Sequence, residues 1–225
     1  MAEVFKEAIR LLASFDKEIY EIVLLSMVVS FSSTFFSTIL AVPLGILLGN
    51  IEFPFKRVVV RILYTTMSLP PVIVGLVVFL VLSRKGPLGH LDLNFTPSAM
   101  VIAQTILIVP IIMGIVYNRT KEDGRNINDI GKTLGANCFQ RGILTIKELR
   151  IPIFIAIVTG YGRAVSEVGA IMIVGGNIKG HTRVMTTSIA MLKNMGNYSM
   201  AIAIGIVLLT ISFIVNGILY HFQGE

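Results

Sequence analysis

The chain has 225 residues, of which 54% are apolar and only 14% charged, against roughly a quarter charged in an ordinary soluble domain. That excludes an average soluble enzyme, and because a membrane-crossing helix takes about 20 residues, the length holds several spans with their loops but no separate soluble domain. The single cysteine, Cys138, excludes an intramolecular disulfide, the absence of a His/Cys cluster argues against a metal site, and the net charge of +6 must be read by position before it speaks of nucleic acid.

Residues 1–18 form an amphipathic stretch. Phe5, Ile9, Leu12 and Phe15 recur at helical spacing with Lys6, Glu7, Arg10 and Lys17 between them, which predicts an interfacial helix rather than a cleaved signal peptide, since the apolar core starts late and runs long. Residues 19–222 then hold five long apolar runs: Ile22–Leu48, Val58–Leu82, Ser98–Tyr117, Ile151–Val174 and Met200–Phe222. The expected fold is an all-α membrane protein with five transmembrane helices.

In the first run Ser26, Ser30, Thr34, Thr38, Ala41, Gly45 and Gly49 form a seam of small residues, which reads as a helix packing face, with Pro43 absorbed as a kink. The second run is interrupted by Ser68-Leu69-Pro70-Pro71. Two adjacent prolines remove two backbone donors, and irregular backbone at that depth belongs in protein or beside a cavity, so Pro70 and Pro71 are candidates to line a pathway. The fourth run carries Arg163 and Glu167, four residues apart and so on one helical face. Ionisable groups at membrane depth pair with one another or line an aqueous path. A paired arginine still has donors to offer an anion, so Arg163, Glu167 and the adjacent Ser166 are candidate pathway residues. Beyond that run, Asn177, Thr182 and Arg183 bring glycine-freed amides, a hydroxyl and a cation suited to an oxyanion.

Residues 118–150 are charged but patterned. Ile127, Ile130, Leu134 and Cys138 mark one helical face, Asn126 or Asn128 is placed to cap a short helix, and Gly135 and Gly142 punctuate the run. Such a helix projecting from a membrane domain buries its apolar face in a groove on a partner, the favoured reading, or back on the protein's own helical ends. Of the basic residues outside the spans, ten fall on this loop's side and eight on the other, seven of the ten within the loop itself. This places the loop and the C-terminus in the cytoplasm and the N-terminus outside. Gly175 to Thr182 has the glycine spacing of a phosphate-binding loop, but His181 stands where the lysine belongs and no strand precedes it. The protein is therefore passive, coupled to an ion gradient, or driven by a separate ATPase. A membrane scaffold is the non-transport alternative.

These residues resemble the permease subunits of ABC importers, specifically the molybdate and tungstate oxyanion group. Leu69-Pro70-Pro71-Val72-Ile73-Val74-Gly75 with Gly86-Pro87-Leu88-Gly89 is similar to their second core span and outer loop. Arg163-Ala164-Val165-Ser166-Glu167-Val168-Gly169-Ala170, with Gly176-Asn177-Ile178 and Thr182-Arg183, is similar to their fourth. The Gly-Gly-Asn-Ile, Thr-Arg-Val-Met-Thr-Thr and Lys-Glu-Leu-Arg strings look most like the tungstate branch. In such permeases a cytoplasmic Glu-Ala-Ala, three residues, Gly motif docks into the ATPase. Here that place is taken by Asp129-Ile130-Gly131-Lys132-Thr133-Leu134-Gly135-Ala136, which keeps Leu-Gly-Ala but departs from Glu-Ala-Ala, with Lys147-Glu148 in place of the usual Leu-Pro. The resemblance implies tungstate transport, or molybdate or another tetrahedral oxyanion by the same mechanism. It also implies a homodimer in the bilayer, two ATPase subunits docked at Asp129, Lys132, Thr133, Leu134, Gly135 and Ala136, and an extracytoplasmic oxyanion-binding protein. No cofactor and no nucleic acid are implied.

Overall fold

The computed structural model describes residues 2–14 and 16–223; Phe15 of the amphipathic stretch lies outside them, and of the basic residues in 118–150 the side chain of Arg125 does too. Among the described residues the fold is entirely helical: α1 (Ala2–Ala13), α2 (Lys17–Asn50), α3 (Lys56–Met67), α4 (Pro71–Leu82), α5 (Pro97–Thr133), α6 (Cys138–Glu148), α7 (Arg150–Val165), α8 (Gly169–Gly175), α9 (Met185–Asn194) and α10 (Tyr198–Gln223). Three helices, α2, α5 and α10, are long and apolar enough to cross a membrane, and two bent pairs, α3 with α4 and α7 with α8, bring the count to as many as five where each pair makes one span.

Asp16 separates α1 from α2 by accepting the Ile19 N–H at 3.2 Å, an N-cap that starts the first span afresh. The amphipathic face of α1 divides: Ala8, Leu11 and Leu12 pack with Ile204 and Leu208 of α10, whereas Phe5 and Ile9 stay exposed. The C-terminal part of the small seam of α2 packs on α5, as its composition predicts, whereas Ser26 meets the start of α9. A Cβ on Gly45 would lie 2.9 Å from Val116, and one on Gly49 2.6 Å from Thr120, so the two helices close to a distance that larger residues would prevent. Pro43 is taken into α2 without ending it.

The double proline does more than kink the second span. Pro70 sits outside the helix with extended backbone and Pro71 opens α4 at the first helical position, where a missing N–H costs nothing, and α3 and α4 meet at 99°. The fourth span departs further from expectation. It is not one helix, because α7 stops at Val165, α8 starts at Gly169, and the two are bent by 59°.

The segment 118–150 also differs from its predicted form. No helix starts at Asn126 or Asn128, since α5 runs unbroken from its Thr96 cap through Tyr117 to Thr133, and the preceding turn already supplies the partners a cap would provide. The one break is at Gly135, and Gly142 lies inside α6. A further element, α9, lies in what composition marked only as outer loop; Met185, Thr187 and Ser188 on it are buried.

Candidate functional site

The two broken spans meet each other. A Cβ on Gly75 of α4 would stand 2.7 Å from the Ala170 Cα of α8, and one on Gly169 2.8 Å from Val72, so α4 and α8 start side by side. This brings the Pro70-Pro71 break and the Ser166-Glu167-Val168 break to one place. Leu69, Pro70, Ser166 and Val168 are exposed there.

Arg163 and Glu167 face each other across the second break. Arg163 Nη1 lies 2.8 Å from Glu167 Oε2, with the carboxylate side chain 4% exposed and the guanidinium side chain 37% exposed. Glu167 Oε1 accepts the Val168 N–H at 3.1 Å and the Ala170 N–H at 3.3 Å, capping the first turn of α8. The buried carboxylate thus has a cation and two amides as partners, and removing the cation would leave it uncompensated. Ser166 turns its hydroxyl back to the Gly162 and Arg163 carbonyls in the last turn of α7. Glu167 is the arginine's one charged partner among the described residues. A guanidinium carries five N–H donors, so Arg163 has donors left for an anion on its exposed side.

The break is held by residues that sequence reasoning passed over. Gln104 of α5 donates to the Ala164 carbonyl at 2.8 Å, and Thr186 of α9 donates to the Glu167 carbonyl at 2.8 Å. Ser26 of α2 accepts the Met185 N–H at 2.7 Å, fixing the start of α9. Gln104 had a visible signal, a lone amide in the third apolar run; Thr186 stood within the Thr-Arg-Val-Met-Thr-Thr string, but nothing local marked α9 as buried or gave that threonine a role.

The outer-loop candidates are placed apart from the ion pair and spend their polar atoms on the chain. Thr182 donates to the Gly175 carbonyl at 2.5 Å and accepts the Ile178 N–H at 3.0 Å, stapling the turn. Asn177 accepts from Thr187 at 2.9 Å. Arg183 and Lys179 both reach Glu18 in the first turn of α2, at 3.3 and 2.6 Å, beside a cavity of about 330 Å³. These side chains shape the loop, and they connect to the break through α8, whose last residue Thr182 bonds, and through Thr187 beside Thr186.

At the opposite end the docking candidates form a sharp elbow. Gly135 has φ +73°, its N–H bonds the Lys132 carbonyl, and the Ala136 N–H bonds the Gly131 carbonyl, a Schellman turn that requires a residue free of a Cβ penalty. Asn137 and Gln140 then cap α6 reciprocally. Gly131, which stands in place of an alanine, is explained by packing, because a Cβ there would lie 2.9 Å from Arg141 Cγ where α6 folds back on α5. Asp129 pairs with Lys132 at 3.0 Å, and Thr133 bonds the Ile130 carbonyl. Ile127 turns inward, whereas Ile130, Leu134 and Phe139 stand exposed at the tip, the last two at 78% and 77%.

Three relatives extend over nearly the whole molecule. A tungstate uptake system permease protein TupB of Peptoclostridium acidaminophilum is 53% identical over 100% of this chain and 99% of its own. A probable anion ABC transporter permease protein of Haloferax volcanii is 37% identical over 89% and 88%, and the TupB of Campylobacter jejuni is 35% identical over 97% and 92%. Residues 41–224 match the family described as the binding-protein-dependent transport system inner membrane component. With its broken spans, its exposed elbow and these relatives, the chain belongs to that family of inner membrane components and is a multi-pass transport subunit rather than an enzyme.

Proposed function

We propose that this chain is the membrane-spanning permease of a tungstate ABC importer, working as a homodimer with two ATPase subunits and an extracytoplasmic binding protein. The observation that carries the reading is Arg163. A guanidinium at membrane depth is costly against lipid, yet this one is over a third exposed beside two helix breaks. A second copy covering that face would turn the exposed arginine into the wall of a shared path, lined also by Ser166, Pro70 and Pro71 and held by Glu167. Kinship with tungstate uptake permeases supports a tetrahedral dianion as the ligand.

The elbow from Asp129 to Ala136 is the proposed ATPase contact, with Leu134 as its apolar tip and Phe139 beside it. The outer loop around Asn177, Thr182 and Arg183 faces the binding protein, α1 lies at the outer membrane surface, the N-terminus is outside and the C-terminus is cytoplasmic. Broken helices also occur in ion-gradient carriers; membership in a binding-protein-dependent family favours the ATP-driven reading.

The test is uptake into vesicles holding the permease, its ATPase and its binding protein. Uptake of tungstate that requires ATP, and that a tenfold excess of sulfate leaves intact, is the expected result. Uptake that persists without ATP under an ion gradient would overturn it. Competition by molybdate in the same assay sets the oxyanion preference.

A further inference from the structure

Gln104 lies in the membrane part of α5 and is 1% exposed. Its Nε2 donates to the Ala164 carbonyl at 2.8 Å and its Oε1 accepts from the Ser33 hydroxyl at 2.8 Å. A backbone carbonyl can only accept, so the amide's orientation is fixed by Ala164. One side chain thus joins α2, α5 and α7, and it does so one residue beyond Arg163.

Hydrogen-bond satisfaction does not account for this amide. The Ala164 carbonyl also accepts the Glu167 N–H at 3.2 Å, and the Ser33 hydroxyl also reaches the Ser30 carbonyl at 3.0 Å. An apolar side chain of similar size at position 104 would therefore leave no buried polar group without a partner. A polar residue kept in an apolar bundle without that need points to a role.

The role follows from where α5 goes. From Gln104 the helix continues without a break to Thr133, about 45 Å at the helical rise, and ends in the Gly135 elbow. Gly160 of α7 sits against Ile108 and Ile112 of α5 closely enough that a Cβ would fall 2.8 Å from Ile112, so the two helices are in register next to the amide. Gln104 grips the Ala164 side of the break from α5 by a hydrogen bond, whereas the Glu167 carbonyl is hydrogen-bonded by Thr186 of α9 and α8 meets α5 through apolar packing, with Met100 against Gly175. A shift of α5 along its axis therefore pulls the Ala164 side through a directional hydrogen bond, while α8 slides against apolar side chains under the hold of Thr186.

We propose that Gln104 is the positioning residue that carries motion of the elbow to the Arg163–Glu167 break. It acts through Ala164 and does not touch the transported anion. The inference rests on the reading of the Gly135 elbow as the ATPase contact.

The experiment measures ATP hydrolysed per tungstate transported by the complete reconstituted complex. Gln104→Leu is expected to assemble as the native permease does and to raise that ratio at least fivefold. An assembled Q104L complex within twofold of the native ratio overturns the proposal. Where Q104L does not assemble, Gln104→Met carries the same test, and failure of both to assemble also overturns it, because the amide would then be a packing requirement. Ile108→Val loosens the same α5–α7 contact without removing a hydrogen bond and is expected to keep the native ratio; equal uncoupling in I108V and Q104L would assign the effect to packing and overturn the role of the amide. Gly135→Val separates the two readings. A native ratio in G135V overturns the elbow as ATPase contact, whereas uncoupling in G135V with a native ratio in Q104L overturns the Gln104 link alone.

Discussion

Arg163 and Glu167 are bound across the gap between two helices, and the same carboxylate that holds the arginine also caps the second helix through the Ala170 N–H. The pair is therefore structural and available for function at once. Moving α8 relative to α7 must move the guanidinium, so the geometry of the break sets the position of the one buried-face cation that the fourth span carries.

Replacing Arg163 separates these two parts. Arg163→Gln keeps a donor for Glu167 but removes the charge, and uptake of the oxyanion is expected to fall about 10- to 100-fold, the size of a lost charge-assisted hydrogen bond, with assembly onto the ATPase retained. Arg163→Ala leaves Glu167 buried without its cation, at a cost of about 3–5 kcal/mol, and is expected to lower the yield of folded complex as well. Native uptake by R163Q would remove this residue from the pathway.

The packing of the two broken spans gives a second prediction. At Gly75 an added methyl meets the backbone of Ala170 rather than a flexible side chain, so the helices must separate. Gly75→Ala is expected to destabilise the permease by about 1–3 kcal/mol and to lower its apparent melting temperature in detergent by several degrees. Gly205→Ala, where an added Cβ meets nothing within 4 Å, serves as the reference. Equal melting of the two variants would mean that α4 and α8 are free to move apart.

How far the sequence was readable depended on whether each feature is local. The apolar runs, the Pro70-Pro71 interruption and the ion pair follow from composition and spacing. Leu134-Gly135-Ala136 marked its turn because only a left-handed residue closes a Schellman motif. The break at Ser166 was not legible, since no proline marks it and Arg163 with Glu167 also satisfies a continuous helix. Its partners come from a distance, since Thr186 of α9 and Gln104 of α5 hydrogen-bond the Glu167 and Ala164 carbonyls there. The run from Asn118 to Asn128 misled for the opposite reason: polar residues that suit a loop also suit a helix projecting into water, and α5 simply continues. Phe139 was missed because it lies beyond the cap at Asn137, out of phase with the stripe of Ile127, Ile130 and Leu134.

The exposed tip of the elbow yields a third prediction. Leu134 and Phe139 present large apolar surface to solvent at a turn whose backbone is fully specified. Burying either side chain in a partner groove contributes about 1.5–3 kcal/mol. The double variant Leu134→Ser with Phe139→Ser is expected to weaken ATPase binding by at least 100-fold in a pull-down titration, while the permease alone melts as before. Unchanged affinity would place the ATPase elsewhere on the cytoplasmic face.

The last prediction concerns the outer loop, where Glu18 in the first turn of α2 accepts from both Lys179 and Arg183. Arg183 is 15% exposed, and its Nε is buried without a partner among the described residues, so Glu18 is the carboxylate that compensates it. An exposed pair would be worth little; this one is partly buried and ties residues 176–183 to the first span. Glu18→Gln is expected to loosen the loop by about 1 kcal/mol, seen as roughly five- to tenfold faster amide hydrogen exchange over those residues, with exchange in α5 unchanged. Because Thr182 staples the turn independently of Glu18, the loop keeps its fold in E18Q and only its anchorage is lost, so stimulation of the ATPase by the loaded binding protein is expected to fall while the basal rate holds. Exchange at the native rate across 176–183 would show that the Thr182 staple alone fixes the loop and that the ion cluster contributes nothing to it.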